Sequence, residues 1–186
     1  MPESWSKTRK RLEEERLCAA LRGRVQFFFT IYHKAPDQYG RFALRVDGRE
    51  VFRANPYNEG RIWALEEQVK SARNTPPREW TDKGGFLYDA ENRRAEEEAR
   101  LLAATEGTVD SFDLLRLIHQ YLNQRIEESL TSPEPFVRML AVLDRRVGRR
   151  RLERLADEVQ NQPEWLQSVY RLRLEAEGIP ERGTKA

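Results

Sequence analysis

The chain has 186 residues, with 39% apolar, 10% aromatic and 34% charged positions, which suits one folded domain with a heavily charged surface and excludes a disordered chain. Its net charge of +2 excludes a whole-molecule field that would drive it onto DNA or an anionic membrane. One cysteine excludes an internal disulfide framework and a zinc knuckle, and no apolar run approaches the length of a membrane span or of a signal-peptide core.

Ser4 reads as an N-cap, and the spacing predicts a helix over about 5–21, stopped by Gly23. Lys7, Arg9, Lys10 and Arg11 precede Glu13, Glu14 and Glu15 on it at i,i+4 spacing. Cys18 falls on this predicted helix among Leu17, Ala19, Ala20 and Leu21, which points to a buried, inert thiol. From residue 24 to 33 the period changes to two: Val25, Phe27, Phe29 and Ile31 alternate with Gln26, Phe28, Thr30 and Tyr32, predicting a strand. Residues 34–40 form a turn-rich link to a second strand over 41–46, with Phe42, Leu44 and Val46 on one face. Asp47-Gly48 is a two-residue hairpin signal, because both residues tolerate the positive φ of a type I′ turn. That turn sets Arg45 opposite Glu50 and Leu44 opposite Val51, and completes a three-stranded meander over 24–54.

Asn55-Pro56-Tyr57-Asn58 breaks the sheet. A helix follows over about 59–74, with Ile62, Leu65, Val69 and Ala72 on one side and Thr75-Pro76-Pro77 at its end. Residues 78–90 read as a short strand or a packed loop, and 91–104 as a charged helix anchored by Leu101 and Leu102. Trp63, Trp80, Phe86 and Tyr88 are expected to form the seam between sheet and helices, or, if Trp80 and Phe86 are exposed, these two would mark a partner surface instead. After Gly107 the pattern is helical throughout. One helix begins at Ser111 and another opens at Pro133 and Pro135 and stops near Gly148. A third covers 149–160, and a last one runs from Pro163 to Gly178. The fold class is therefore α+β, with a sheet-containing part over 1–107, a helical part over 108–180 sharing its core, and a flexible tail over 181–186.

Three runs carry a resemblance. They are Trp5-Ser6-Lys7-Thr8-Arg9-Lys10 leading to Leu17-Cys18, the hairpin run from Tyr32-His33-Lys34-Ala35 to Gly40-Arg41, and Leu143-Asp144-Arg145-Arg146-Val147-Gly148. On these the chain resembles an uncharacterised bacterial protein family of unknown function. The resemblance implies a bacterial, cytoplasmic protein and transfers no site.

Two polar clusters are candidate sites. His33, Asp37, Tyr39 and Arg41 lie on a strand end and its loop, where His33 would act as a general base oriented by Asp37, and Arg41 and Tyr39 would bind an anion or an aromatic group. The plainer reading is a turn capped by Asp37. Arg145, Arg146, Arg149, Arg150, Arg151 and Arg154 place six guanidinium groups within ten residues. At helical spacing Arg146, Arg150 and Arg154 share a stripe that would meet a protein partner or, as the alternative, a nucleic-acid backbone. The plainer reading is internal pairing with Asp144, Glu153, Asp157 and Glu158.

Other chemistries find little in the sequence. Asp37 and Glu50 lack the carboxylate-x-Lys of a metal-dependent nuclease, since Val51-Phe52 follows Glu50. His119 lies on a helix far from His33, so no metal site is expected. No P-loop, G-x-G-x-x-G or G-x-S-x-G motif is present, and no cofactor is expected. The leading expectation is a non-enzymatic protein-binding protein, ahead of nucleic-acid binding and of an enzyme centred on His33.

Overall fold

The computed structural model describes residues 4–31, 40–54, 59–85, 87 and 89–181. Helix α1 (Trp5–Lys10) starts at Ser4, whose hydroxyl accepts from the Lys7 amide at 3.4 Å. It passes into a π-helical turn, Arg11–Arg16, closed by the Leu17 amide donating to the Leu12 carbonyl at 2.8 Å. The helix predicted over 5–21 thus ends earlier. Leu17 and Cys18 are extended, and Ala19–Leu21 is a 3₁₀ turn. The reason is tertiary. Leu17 bridges Asp144, the Cys18 amide donates to the Leu143 carbonyl at 3.0 Å, and the Arg145 amide donates to the Arg16 carbonyl at 2.7 Å. A two-residue antiparallel contact therefore ties the N-terminal segment to the C-terminal half, and Cys18 is buried in it.

Strands β1 (Val25–Ile31), β2 (Gly40–Val46) and β3 (Arg49–Ala54) form an antiparallel meander in the order β1-β2-β3. Asp47 and Gly48 both take positive φ, +50° and +80°, as the type I′ turn requires. Arg45 faces Glu50 as expected, but Leu44 faces Phe52 rather than Val51. A bulge inserts Val51 as an unpaired residue, which turns Phe52 inward and leaves Val51 37% exposed. The core demands the larger apolar side chain, and the ladder yields to it.

Two antiparallel helices follow, α2 (Glu59–Arg73) and α3 (Ala90–Thr105). Asp89 caps α3 by accepting from the Asn92 amide at 2.7 Å. These helices pack through Ile62, Leu65 and Val69 against Ala95, Ala99 and Ala103, a small core of their own. The expected anchors do not serve: Leu102 is 41% exposed, because the alanine stripe lets the backbones approach on the adjacent face. Gly107, at φ +81°, ends the helix, and a Cβ there would meet the Trp165 ring at 3.2 Å.

The remaining helices are α4 (Ser111–Asn123), α5 (Ile126–Leu130), α6 (Pro135–Val142), α7 (Arg149–Leu155) and α8 (Glu164–Ala176). Helix α5 has no counterpart among the sequence expectations, and α6 stops at Val142, short of Gly148. One cluster of buried side chains runs from Leu12 through the inner sheet face to Ile179. Its aromatic spine links β2 and β3 to the helices: Phe42 to Phe136 at 5.3 Å, Phe52 to Phe136 at 5.6 Å and Phe52 to Trp165 at 4.7 Å between ring centroids. Trp165 and Phe136 make the seam that was expected of Trp63 and Trp80, which are 62% and 70% exposed. Phe86 and Tyr88 lie outside the described residues. Among the described residues no helix is long and apolar enough to cross a membrane.

Candidate functional site: an arginine face built on a buried carboxylate

The arginine cluster divides at Gly148. Helix α7 starts only at Arg149, so Arg146 lies in the preceding turn and cannot share a helical stripe with Arg150 and Arg154. The Arg146 side chain turns inward instead. Its Nε and Nη2 donate to Asp144 Oδ2 at 2.9 and 2.7 Å, and its amide donates to Oδ1 at 2.7 Å. Tyr121 Oη donates to the same Oδ2 at 2.5 Å, and the Arg146 guanidinium lies 5.7 Å from the Tyr121 ring centroid.

Asp144 is fully buried, so these donors replace water that the carboxylate has lost. Burial first, and then the adjacent Asp144 charge, push the Tyr121 hydroxyl well above its ordinary range. Beside this group Arg173, also buried, donates to the Val142 carbonyl at 3.1 Å and the Val147 carbonyl at 3.2 Å, and pairs with Glu177. The turn over 143–148 is therefore held from α4, from α8 and from the 16–18 segment.

Two further arginines have internal partners. Arg151 donates to Glu127 at 2.5 Å. Arg149 reaches Glu153 at 3.1 Å, but both side chains are largely exposed, at 62% and 41%, so the pair contributes only about 0.3–0.5 kcal/mol. Arg145, Arg150 and Arg154 are exposed and have no carboxylate partner among the described residues. Arg150 and Arg154 stand one turn apart on α7. The result is a patch of guanidinium groups mounted on a turn and a short helix that buried contacts fix in place.

The other predicted residues fall elsewhere. His33, Asp37 and Tyr39 lie outside the described residues. Arg41 sits on β2 and, with Arg45 at 3.2 Å, holds Glu50 across the strands. Burial opposes this, but the two arginines keep the Glu50 carboxyl below its usual range. Arg45 also lies over the Phe28 ring at 4.3 Å, which covers the second sheet face. Among the described residues no group of three or more His, Cys, Asp and Glu side chains is arranged to hold a metal ion.

Sequence reasoning missed a groove of about 820 Å³ along α2, with Trp63, Glu66, Lys70 and Arg78 in its walls. Several of its charges are paired internally: Glu66 Oε1 accepts from Lys70 at 2.5 Å and Arg78 at 2.6 Å, and Arg78 also reaches Glu96 at 3.1 Å. Glu67 also lines it, 78% exposed and 3.6 Å from Lys70, so the groove presents a carboxylate whereas the arginine patch presents cations.

Fold and surface together define an α+β protein in which a strand meander packs on a bundle of short helices. The chain belongs to the SF0329 protein family, an uncharacterised family that it matches over residues 4–174. No curated protein and no solved structure matches it.

Proposed function

We propose that the chain is a non-enzymatic interaction protein of a bacterial cytosol, and that it binds an acidic surface of a partner protein through Arg145, Arg150 and Arg154. The observation that carries this reading is the split within the cluster. Asp144 and Glu127 take Arg146 and Arg151, while three neighbours stay exposed without a carboxylate among the described residues. Guanidinium groups suit this task because they are weakly hydrated and present a planar fork of donors that matches carboxylates. Mounting them on a turn fixed by buried bonds lowers the ordering cost of association.

Glu153 stands on the same short helix, and Asp157 follows it. A continuous phosphate backbone favours a stripe made of cations alone, whereas a protein surface of mixed charge accommodates acidic residues set among the arginines. Binding to a polyglutamate peptide and to duplex DNA, each titrated across salt concentrations, separates the two readings. The account expects saturable peptide binding that is lost in the R145E/R150E/R154E variant. A tighter DNA complex with a steep salt slope that the same variant abolishes would assign the arginines to nucleic acid instead.

A further inference from the structure

The groove along α2 is a second surface, and it shares no residue with the arginine face. At one end stands Trp63, 62% exposed and without a ring contact to any described residue. An indole left in water on a groove wall is an apolar platform with nothing on it. Glu67, Ser71 and Asn74 follow Trp63 at i+4, i+8 and i+11, so the four line one side of α2 and its C-terminal end. At 1.5 Å per residue this row is about 16 Å long. The side chains of Ser71 and Asn74 are exposed and bond to no other described residue, which leaves a hydroxyl and an amide open as donors and acceptors.

The charges of the groove balance. Two carboxylates, Glu66 and Glu67, and two cations, Lys70 and Arg78, line it among the described residues. A phosphate would have to draw Lys70 or Arg78 from Glu66, and a cation would share Glu67 with Lys70, so neither sign of ligand is favoured. An extended peptide finds no strand edge here, because the wall is a helix whose backbone groups bond to one another. A proline-rich peptide docks on several aromatic rings, and Trp63 is the one aromatic among the described lining residues. A neutral sugar chain suits what remains. The C–H face of a sugar ring lies against the negative face of an indole, and its hydroxyl groups donate to a carboxylate and exchange bonds with a hydroxyl and an amide. We infer that the α2 groove binds a neutral oligosaccharide, with one ring stacked on Trp63 and hydroxyl groups held by Glu67, Ser71 and Asn74. A chain rather than a single sugar is required, because these walls are too exposed to enclose one ring and several modest contacts must add.

The test uses the full chain and three neutral hexasaccharides: α-1,4-linked glucose, β-1,4-linked glucose and β-1,4-linked N-acetylglucosamine. Binding is read by calorimetry and by tryptophan fluorescence. At least one of the three should bind and shift the emission. W63A should weaken that binding by about tenfold and E67A by about threefold, with circular dichroism unchanged because both side chains are exposed. Should W63A fold poorly, E67A carries the test, since its one close contact is an exposed pair with Lys70. The inference is overturned if none of the three sugars binds, or if the variants bind as the native chain does. It is also overturned if a heparin fragment, a chitosan hexamer or a polyproline peptide binds more tightly with the same dependence on Trp63, which would assign the groove to a charged glycan or to a protein.

Discussion

At the scale of single residues, Asp144 and Arg150 show two opposite fates for charge. Both oxygens of Asp144 are bonded inside the protein, so its loss strands the Arg146 guanidinium and the Tyr121 hydroxyl in a partly dry site. D144A should cost about 3–5 kcal/mol in urea unfolding, and a cost below about 1 kcal/mol would contradict the role assigned to it. R150E and R154E remove nothing internal and should change stability by no more than about 0.5 kcal/mol. Two tyrosines give a pH signature. Burial pushes Tyr170 up to about 12, and burial with the Asp144 charge pushes Tyr121 well above its ordinary value of 10.0. The folded state then holds protons that unfolded tyrosines release, so this stabilisation is complete below about pH 10 and declines as pH rises further. Melting temperature should fall above that pH. In the phenolate absorbance, Tyr121 and Tyr170 should ionise at higher pH than ordinary tyrosines. Six ordinary titrations with the fold intact would contradict their burial.

Secondary elements differ in how far their neighbours determine them. The Asp47-Gly48 hairpin was legible because a type I′ turn needs only two adjacent residues. The bulge at Val51 was not, because it follows from Phe52 meeting Phe136 and Trp165, residues that lie far along the chain. The early end of the first helix has the same origin in Leu143 and Asp144. In α3 the leucines drew attention and the alanines did the packing, since close helix approach favours small side chains that carry little periodic signal. A99L tests this contact: it overpacks the seam between α2 and α3 and should cost about 1–3 kcal/mol. Faster amide exchange should be confined to those two helices, while an effect spread evenly over the sheet would contradict a separate small core.

Across the whole molecule, two of the runs that carry the resemblance meet in space, through Leu17 and Cys18 on one side and Leu143, Asp144 and Arg145 on the other. These residues thus serve the fold in this chain. The arginine density was legible in the sequence, but its division into buried and exposed members was not, because it depends on Tyr121 and the 16–18 segment. The described core joins sheet and helices, so the arginine face rides on a framework that surface charge changes should leave intact. The most direct measurement is photo-crosslinking in cells from an unnatural amino acid at position 150, compared between the native chain and an R145E/R154E version of equal melting temperature. The account predicts a crosslink to a protein through an acidic peptide, lost on charge reversal. Crosslinks to nucleic acid, or to the same protein regardless of charge reversal, would contradict it.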